Sequence, residues 1–319
     1  MDARKQDKGQ GAAKMTMAKS VCVVGSVAID SVDTPTGSAS NVLGGACSYF
    51  SVAASFFAPV NLVGVVGRDF PESSRRFLGD CGINLEGLTE ADGETFRWHG
   101  RYHENMNMRD TLDLRLNVFD KFVPTLPESY RGSEFVFLAT IQPSLQAHVL
   151  SQLEAPTYVG ADTIEHWIRE APAELAQLLS QVDLFTINDT EAELLAGERN
   201  VVKAARKILQ MGPRHLIVKR GEYGALLFSS DEVFAVPAFP LEEVVDPTGA
   251  GDTFAGGLFG SLAADGEVTA RSIRRAMAYG TVVASFTVED FGLSRLTTLT
   301  RDEIDARLRQ FIAITDFQS

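Results

Sequence analysis

The chain has 319 residues, and its 45% hydrophobic and 22% charged content is ordinary for a globular enzyme. A net charge of −13 argues against nucleic acid or an anionic membrane as a default partner. The three cysteines show no Cys-x-x-Cys spacing, which favours a reducing cytoplasm.

No apolar run approaches the length of a membrane span. Residues 1–18 are polar, small and lysine-bearing, and they lack the apolar core of a secretory signal. We therefore expect residues 1–18 to form a flexible leader.

Apolar, strand-like runs alternate with helical stretches from residue 21 onward. In the first part we expect strands at Val21–Ile29 and Asn61–Val66, and helices at Ser40–Phe57 and Pro71–Cys81.

The next segment breaks this rhythm, because apolar and polar residues alternate along Thr95–Tyr102 and again along 112–118. A period of two marks strands with one wet face. Two such strands predict a small sheet around 94–118 that projects from the main domain. It would serve as a lid that keeps water from a reaction, as a dimer-forming flap, or as both.

The alternation of strand and helix then resumes. The further expected strands are Glu134–Ala139, Thr157–Ala161, Asp183–Ile187 and His215–Lys219. Helices are expected between them at Glu174–Leu179 and Val201–Gln210. Continuous apolar strands separated by helices predict a largely parallel α/β sheet covered on both faces. We expect one domain over 19–319 that carries the small sheet as an insertion.

The most informative stretch is VDPTGAGDTF at residues 245–254. Its glycines allow close approach of the backbone to a ligand, and a helix is expected to begin near Ala255. Unpaired N–H groups at a helix start attract an anion such as a phosphate. Asp252 would then lie beside a phosphoryl group and accept a proton from an attacking hydroxyl. The alternative is an ordinary glycine turn capped by Asp252.

The string Asp-x-Thr-Gly-Ala-Gly-Asp resembles the signature of the ribokinase-like, phosphofructokinase-B-type carbohydrate and nucleoside kinases. The resemblance implies a three-layer α/β/α sandwich with a mostly parallel central sheet and a small β-sheet lid. It also implies magnesium-dependent transfer from ATP to a primary hydroxyl. Asp252 would be the general base, and the N–H groups of Gly249, Ala250 and Gly251 would form the anion hole.

On the acceptor side, the same resemblance assigns substrate binding to Asp30, Gly44, Gly45 and Tyr49. A carboxylate can accept hydrogen bonds from two neighbouring hydroxyls, although an Asp at a strand end is commonly just solvated. Tyr49 stands where ribokinase proper has a sugar-binding Asn, so ribose is a doubtful substrate. The identity of the acceptor stays open.

On the nucleotide side, residues 188–191 match the family's Asn-x-x-Glu pattern. Asn188 and Glu191 would organise hydrated magnesium at the phosphates. The alternative is an ordinary helix N-cap with a favourable acid in the first turn.

A strand-turn near the nucleotide is the expected place of Lys219, Arg220 and Gly221. Relatives also suggest a monovalent-cation (potassium) site shaped by Asp246 and Thr248. No Walker-type Gly-x-x-x-x-Gly-Lys-Ser/Thr and no Gly-x-Gly-x-x-Gly occurs, which disfavours the P-loop and dinucleotide-binding classes.

The leading functional prediction is an ATP-dependent kinase of a small sugar that forms a homodimer through the lid. A nucleoside kinase of the same fold is the rival, in which Tyr49, Phe96 and Trp98 stack on a base rather than fill a core. A sugar-binding protein without turnover is the third possibility, and retention of Asp252 disfavours it.

Overall fold

The computed structural model describes residues 18–316, so all but the last residue of the expected leader lies outside the described part. The strands are β1 Val21–Val24, β2 Ala28–Thr34, β3 Gly37–Gly44, β4 Val60–Gly67, β5 Ile83–Ala91, β6 Phe96–Tyr102, β7 Arg109–Arg115, β8 Phe135–Leu138, β9 Tyr158–Asp162, β10 Leu184–Asn188, β11 His215–Lys219, β12 Ala225–Phe228 and β13 Val233–Val236. The helices are α1 Ala46–Ser55, α2 Glu72–Asp80, α3 Pro143–Leu150, α4 Glu165–Glu170, α5 Pro172–Leu179, α6 Asp189–Ala196, α7 Val201–Leu209, α8 Ala250–Asp265, α9 Ala270–Thr287, α10 Ser294–Thr298 and α11 Arg301–Thr315.

Nine strands form the large sheet, in the order β13-β12-β11-β10-β9-β8-β1-β4-β5. All neighbouring pairs from β11 to β5 are parallel, and β12 and β13 add an antiparallel edge. Successive residues of β1 point into two different hydrophobic clusters, one on each face of the sheet. Helices α1, α8, α9 and α11 pack in one cluster and α3, α5 and α7 in the other, which gives three layers. The predicted α/β/α sandwich is confirmed.

The parallel arrangement brings the carboxyl ends of three adjacent central strands to one edge of the large sheet. Asp162 ends β9, Asn188 ends β10 and Lys219 ends β11. Ligands of open α/β sheets bind outside this edge.

The small sheet has four strands in the order β3-β2-β6-β7, whereas the sequence predicted two. Residues 40–44 belong to β3, so the helix expected at Ser40–Phe57 begins only at Ala46. The expected strand Val21–Ile29 likewise divides between β1 of the large sheet and β2 of the small one. These errors share a cause. Strand β2 is stabilised by pairing with β3 on one side and β6 on the other, and local periodicity does not reveal such pairing.

Helix α8 packs between α1 and α9 through glycines. A Cβ on Gly256 would lie 2.2 Å from the carbonyl oxygen of Phe50, and one on Gly260 would lie 2.7 Å from that of Ala54. On the other side, a Cβ on Gly257 would lie 3.0 Å from a backbone Cα of α9. Backbone therefore meets backbone on both sides of α8. Across residues 18–316, no helix combines the length and apolarity that a membrane crossing requires.

Candidate active site

The glycine loop, residues 245–251, leads into α8. This helix begins at Ala250, five residues before the expected start near Ala255, so Asp252 lies in its first turn. Gly249 is the N-cap, with φ +74°, a conformation that favours glycine. A Cβ there would lie 2.3 Å from the Tyr49 ring, so the loop rests directly on that ring.

The N–H groups at this helix start differ from the predicted set. Ala250 donates its N–H to the carbonyl oxygen of Pro247 at 3.2 Å, so this predicted donor already has an acceptor in the structure. Between residues 18 and 316, no acceptor is found for the N–H groups of Gly249, Gly251 and Asp252. Three unpaired donors thus cluster at the positive end of a helix, where an anion binds favourably.

Asp252 lies half-buried beside these donors. Burial raises its pKa above the ordinary value, and the positive charges of Lys219 and Arg109 offset part of that rise. A second carboxylate, Asp162, is 4% exposed, and burial together with the Asp252 charge raises its pKa. The Thr140 hydroxyl donates a 2.9 Å hydrogen bond to Asp162. Two acids and a shared cation therefore interact at the carboxyl edge of the large sheet.

Lys219 points at the glycine loop, since a Cβ on Gly251 would lie 2.9 Å from its Nζ. No ion pair with a carboxylate occupies this ammonium group in the described range. Arg220 instead has its guanidinium 5.6 Å from the ring centroid of Tyr223, an exposed residue. Gly221, with φ +53°, begins the turn that joins Arg220 to Tyr223. The structure thus brings Lys219, but not Arg220, to the loop.

Asn188 and Glu191 form a reciprocal capping box at the start of α6. The Asn188 Oδ1 accepts the Glu191 N–H at 2.7 Å, and the Glu191 Oε2 accepts the Asn188 N–H at 3.0 Å. The ordinary cap is therefore present, yet Oε1 of Glu191 receives no hydrogen bond from the described residues. Burial raises the pKa of Glu191, and the Asn188 N–H, followed by the charges of Lys219 and Arg109, offsets part of this rise. Glu191 thus shares its cations with Asp252.

Asp30 is 4% exposed, and its Oδ1 has no hydrogen-bond partner in residues 18–316. Burial raises its pKa to about 7, and the Gly45 backbone offsets the rise only in part. Gly44 is needed beside it, because a Cβ there would lie 1.9 Å from Oδ2 of Asp30. Gly45 has φ +89° and is the N-cap of α1. The charges of Asp246 and Asp252 also raise the pKa of Asp30, so this carboxylate faces the same site.

Tyr49 is 1% exposed and lies under Gly249, and its hydroxyl has no partner among the residues described. Burial, followed by the charge of Asp30, raises the pKa of this hydroxyl. The side chain predicted to bind the acceptor thus supports the loop from below.

Asp246 and Thr248 connect the glycine loop to other segments. The Asp246 carboxylate accepts the N–H of Thr248 at 2.9 Å and that of Gly292 at 3.0 Å. The Thr248 hydroxyl lies 3.3 Å from the hydroxyl of Tyr102, which ends β6. The small sheet therefore contacts the glycine loop directly.

Asp162, Tyr102 and Arg109 belong to this site and were missed from the sequence. Asp162 directly follows the expected strand at 157–161, and a carboxylate at that position was a usable signal. Tyr102 and Arg109 carry no local signal, because only the pairing of β6 with β7 and the folding of the small sheet over the loop bring them here.

An α/β sheet whose carboxyl edge gathers a glycine loop, an aspartate and a lysine is the arrangement expected of an enzyme of phosphoryl transfer. The chain belongs to the pfkB family of carbohydrate kinases, whose family model matches residues 18–299. This confirms the resemblance inferred from the sequence.

Relatives and solved structures agree with this membership. A cytidine kinase of Thermococcus kodakarensis is 30% identical over 246 residues, which cover 74% of this chain and 85% of that protein. The structure of Burkholderia thailandensis nucleoside kinase in complex with inosine is similar with a TM-score of 0.77, at 20% identity over 92% of this chain and 99% of that one. Arabidopsis thaliana ribokinase complexed with ribose and ATP is similar with a TM-score of 0.74, at 20% identity and the same coverage. The structures support the fold.

Proposed function

We propose that this chain transfers the γ-phosphoryl group of ATP to a primary hydroxyl of a small sugar or of the sugar part of a nucleoside. The observation that carries the proposal is the group of three unpaired N–H donors at the start of α8, with Asp252 in the same turn and Lys219 against Gly251. Donors fixed in this way bind phosphate oxygens without rearrangement when charge develops on them.

In the proposed reaction Asp252 accepts the proton of the acceptor hydroxyl, whose oxygen then attacks the γ-phosphorus in line. Its pKa is raised by burial but held down by Lys219 and Arg109, so the carboxylate remains available as a base of useful strength. Lys219 and the N–H groups of Gly249, Gly251 and Asp252 would bind the phosphate oxygens. Arg220 and Gly221 would shape the neighbouring turn.

Asp30 is proposed to bind the acceptor. Its buried Oδ1 lacks a partner, and an acceptor hydroxyl would supply the missing hydrogen bond. Gly44 and Gly45 leave room for this carboxylate and for the ligand beside it. Tyr49 would act through its support of the loop.

A small sugar is the acceptor favoured by the sequence motifs, and a nucleoside is the second candidate. The similarity to a cytidine kinase supports the nucleoside. So does Trp98, which pairs in register with Asp30 across β2 and β6 and lies half-buried, with its indole over Gly100. A flat ring near the hydroxyl-binding carboxylate suits a base. A protein that binds sugar without turnover has no use for Asp252.

Magnesium fits Glu191, because its free carboxylate oxygen is an acceptor of the kind that hydrated magnesium takes. Bound magnesium would neutralise charge on the phosphates, with Asn188 and Glu191 holding it through water. A potassium ion would lie near Asp246 and Thr248, although both Asp246 oxygens already accept backbone N–H groups.

We also propose a homodimer through the small sheet, in a cytoplasmic enzyme. Strand β7 is an edge strand, exposed along its whole length, and several large apolar side chains there and nearby are exposed: Met108, Leu112, Leu114 and Leu116. An edge of this kind pairs readily with another chain. Sedimentation velocity should give a dimer for the wild type and a monomer for Leu114→Lys, whereas a monomeric wild type rejects the dimer.

The kinase proposal is tested by ADP release with ATP, magnesium and a panel of sugars and nucleosides. Asp252→Asn should lower kcat by roughly 10²- to 10⁴-fold, the range of general-base catalysis, and leave ATP binding within about threefold. Asp302→Asn is the matched control, because it makes the same change in the first turn of α11, away from the site. Normal turnover by Asp252→Asn would rule out the base assignment.

A further inference from the structure

Arg109 is the first residue of β7, next to the hairpin that joins β6 to β7. It pairs with Tyr102 across the antiparallel ladder, so the two side chains lie on the same face of the small sheet. That face is turned toward the glycine loop, since the Tyr102 hydroxyl lies 3.3 Å from that of Thr248.

The hairpin is also held at its tip. The Asn107 side chain donates a hydrogen bond to the carboxylate of Glu222, and its Oδ1 lies where a Cβ on Gly221 would stand, at 2.3 Å. The small sheet therefore reaches across the site to the turn that follows Lys219. These two contacts, at Tyr102 and at Asn107, hold the backbone that carries Arg109 near the glycine loop and the 221–222 turn.

The guanidinium of Arg109 is positioned but not neutralised. Its carbon lies 5.6 Å from the ring centroid of Trp98, and the indole N–H of Trp98 is itself fixed by Thr111 at 3.2 Å. No carboxylate among residues 18–316 forms an ion pair with Arg109, and the side chain is exposed. One of its N–H groups faces the Tyr102 hydroxyl as a hydrogen-bond partner, and the remaining donors are available to a ligand.

The positive charge of Arg109 acts on two acidic residues that lie on different helices. Arg109 lowers the pKa of both Asp252 on α8 and Glu191 on α6. Lys219 lowers both as well. The site thus receives one positive charge from Lys219 at the end of β11 and a second from Arg109 on the small sheet.

We propose that Arg109 binds the phosphoryl group that is transferred, and that the docked hairpin holds it there. This inference rests on the proposed phosphoryl transfer. A planar guanidinium binds phosphate oxygens through paired hydrogen bonds, and a cation delivered by a mobile element stabilises the charge that develops during transfer. The small sheet would then complete the catalytic site as well as exclude water from it.

Arg109→Met and Arg109→Lys are the test variants. Arg76→Met is the control, because Arg76 is an exposed arginine of α2 and lies outside the small sheet. Thermal unfolding and near-ultraviolet circular dichroism check that each variant is folded. Calorimetric titration then gives the dissociation constants of Mg·ATP and Mg·ADP, and steady-state kinetics give kcat and both KM values.

We expect Arg109→Met to lower kcat by roughly 10²- to 10³-fold, to leave the acceptor KM within about threefold, and to weaken ATP binding more than ADP binding. Arg109→Lys should recover part of kcat, and Arg76→Met should match the wild type. A kcat within threefold of wild type, or an equal loss of ATP and ADP affinity, would overturn the assignment. Should the wild type phosphorylate none of the acceptors, the kinase proposal fails, and the ATP-to-ADP affinity ratio still decides the role of Arg109.

Discussion

Replacing Asp30 with Asn should make the protein more stable at alkaline pH and less active. The pKa of Asp30 rises from 3.8 to about 7 on folding, chiefly because the carboxyl is buried. A rise of that size means that ionised Asp30 costs the folded chain about 4 kcal/mol, as an upper estimate. The unpartnered Oδ1 is the local reason, since no donor compensates for the lost water.

The sign of the pH dependence follows from the direction of this shift. Folded Asp30 holds its proton more tightly than unfolded Asp30, so the stability it provides is complete below pH 3.8 and is lost as the pH rises through 7. Between pH 5.5 and 8.5 the wild type should lose about 2 kcal/mol relative to Asp30→Asn, because the Asn side chain does not ionise.

Reversible urea unfolding at pH 5.5 and 8.5 measures this difference. Asp113→Asn is the matched control, since Asp113 lies at the surface of the same small sheet, paired with Arg115. Its stability difference from wild type should be nearly the same at both pH values. If the advantage of Asp30→Asn does not grow between pH 5.5 and 8.5, the buried and ionisable state assigned to Asp30 is wrong. The acceptor kcat/KM of Asp30→Asn should fall at least tenfold.

Two further predictions concern the glycine loop. Lys219→Met should shift the acidic limb of the pH profile of kcat to higher pH, because the Lys219 charge lowers the pKa of Asp252. Lys203→Met, on the exposed face of α7, is the control. An unshifted limb in Lys219→Met would contradict the interaction between Lys219 and Asp252. Gly249→Ala should destabilise the protein by roughly 2 kcal/mol or more and lower kcat at least tenfold, because φ is +74° and the new methyl group meets Tyr49. Adding Tyr49→Leu should restore part of the stability measured in urea; a Gly249→Ala protein of wild-type stability and rate would disprove the contact.

Much of the large sheet was predictable, because its strands are short apolar runs bounded by turn residues. Strands β4, β8, β9, β10 and β11 fall within a residue of their expected positions. Each is buried on both faces, so its apolar composition is a local property of the sequence. Helices α2, α5 and α7 were likewise found from local patterns.

The small sheet was predictable only in part. Strands β6 and β7 alternate and were recognised, although β7 ends at Arg115 and the expected continuation to 118 enters a 3₁₀ turn. Residues 40–44 of β3 were taken for the start of a helix, since this strand gains its stability from pairing with β2. In the site, Asp30, Lys219 and Asp252 converge as the motifs indicated. The turn bond from the Ala250 N–H to Pro247 could not be read from the sequence, because it depends on the backbone conformation of the loop.

The glycine contacts of α8 determine which wall of the site can move. This helix contacts the backbone of α1 and approaches that of α9. Its amino end therefore cannot move to admit or release a ligand without disrupting the packing of the core. The opposite wall, the small sheet, contacts the glycine loop and the 221–222 turn through polar pairs: the Tyr102–Thr248 hydroxyls, the Thr36 hydroxyl with the carbonyl oxygen of Val245, and the Asn107 amide with Glu222. Substrates should therefore enter and leave when the small sheet moves outward, while α8 and the glycine loop stay in place.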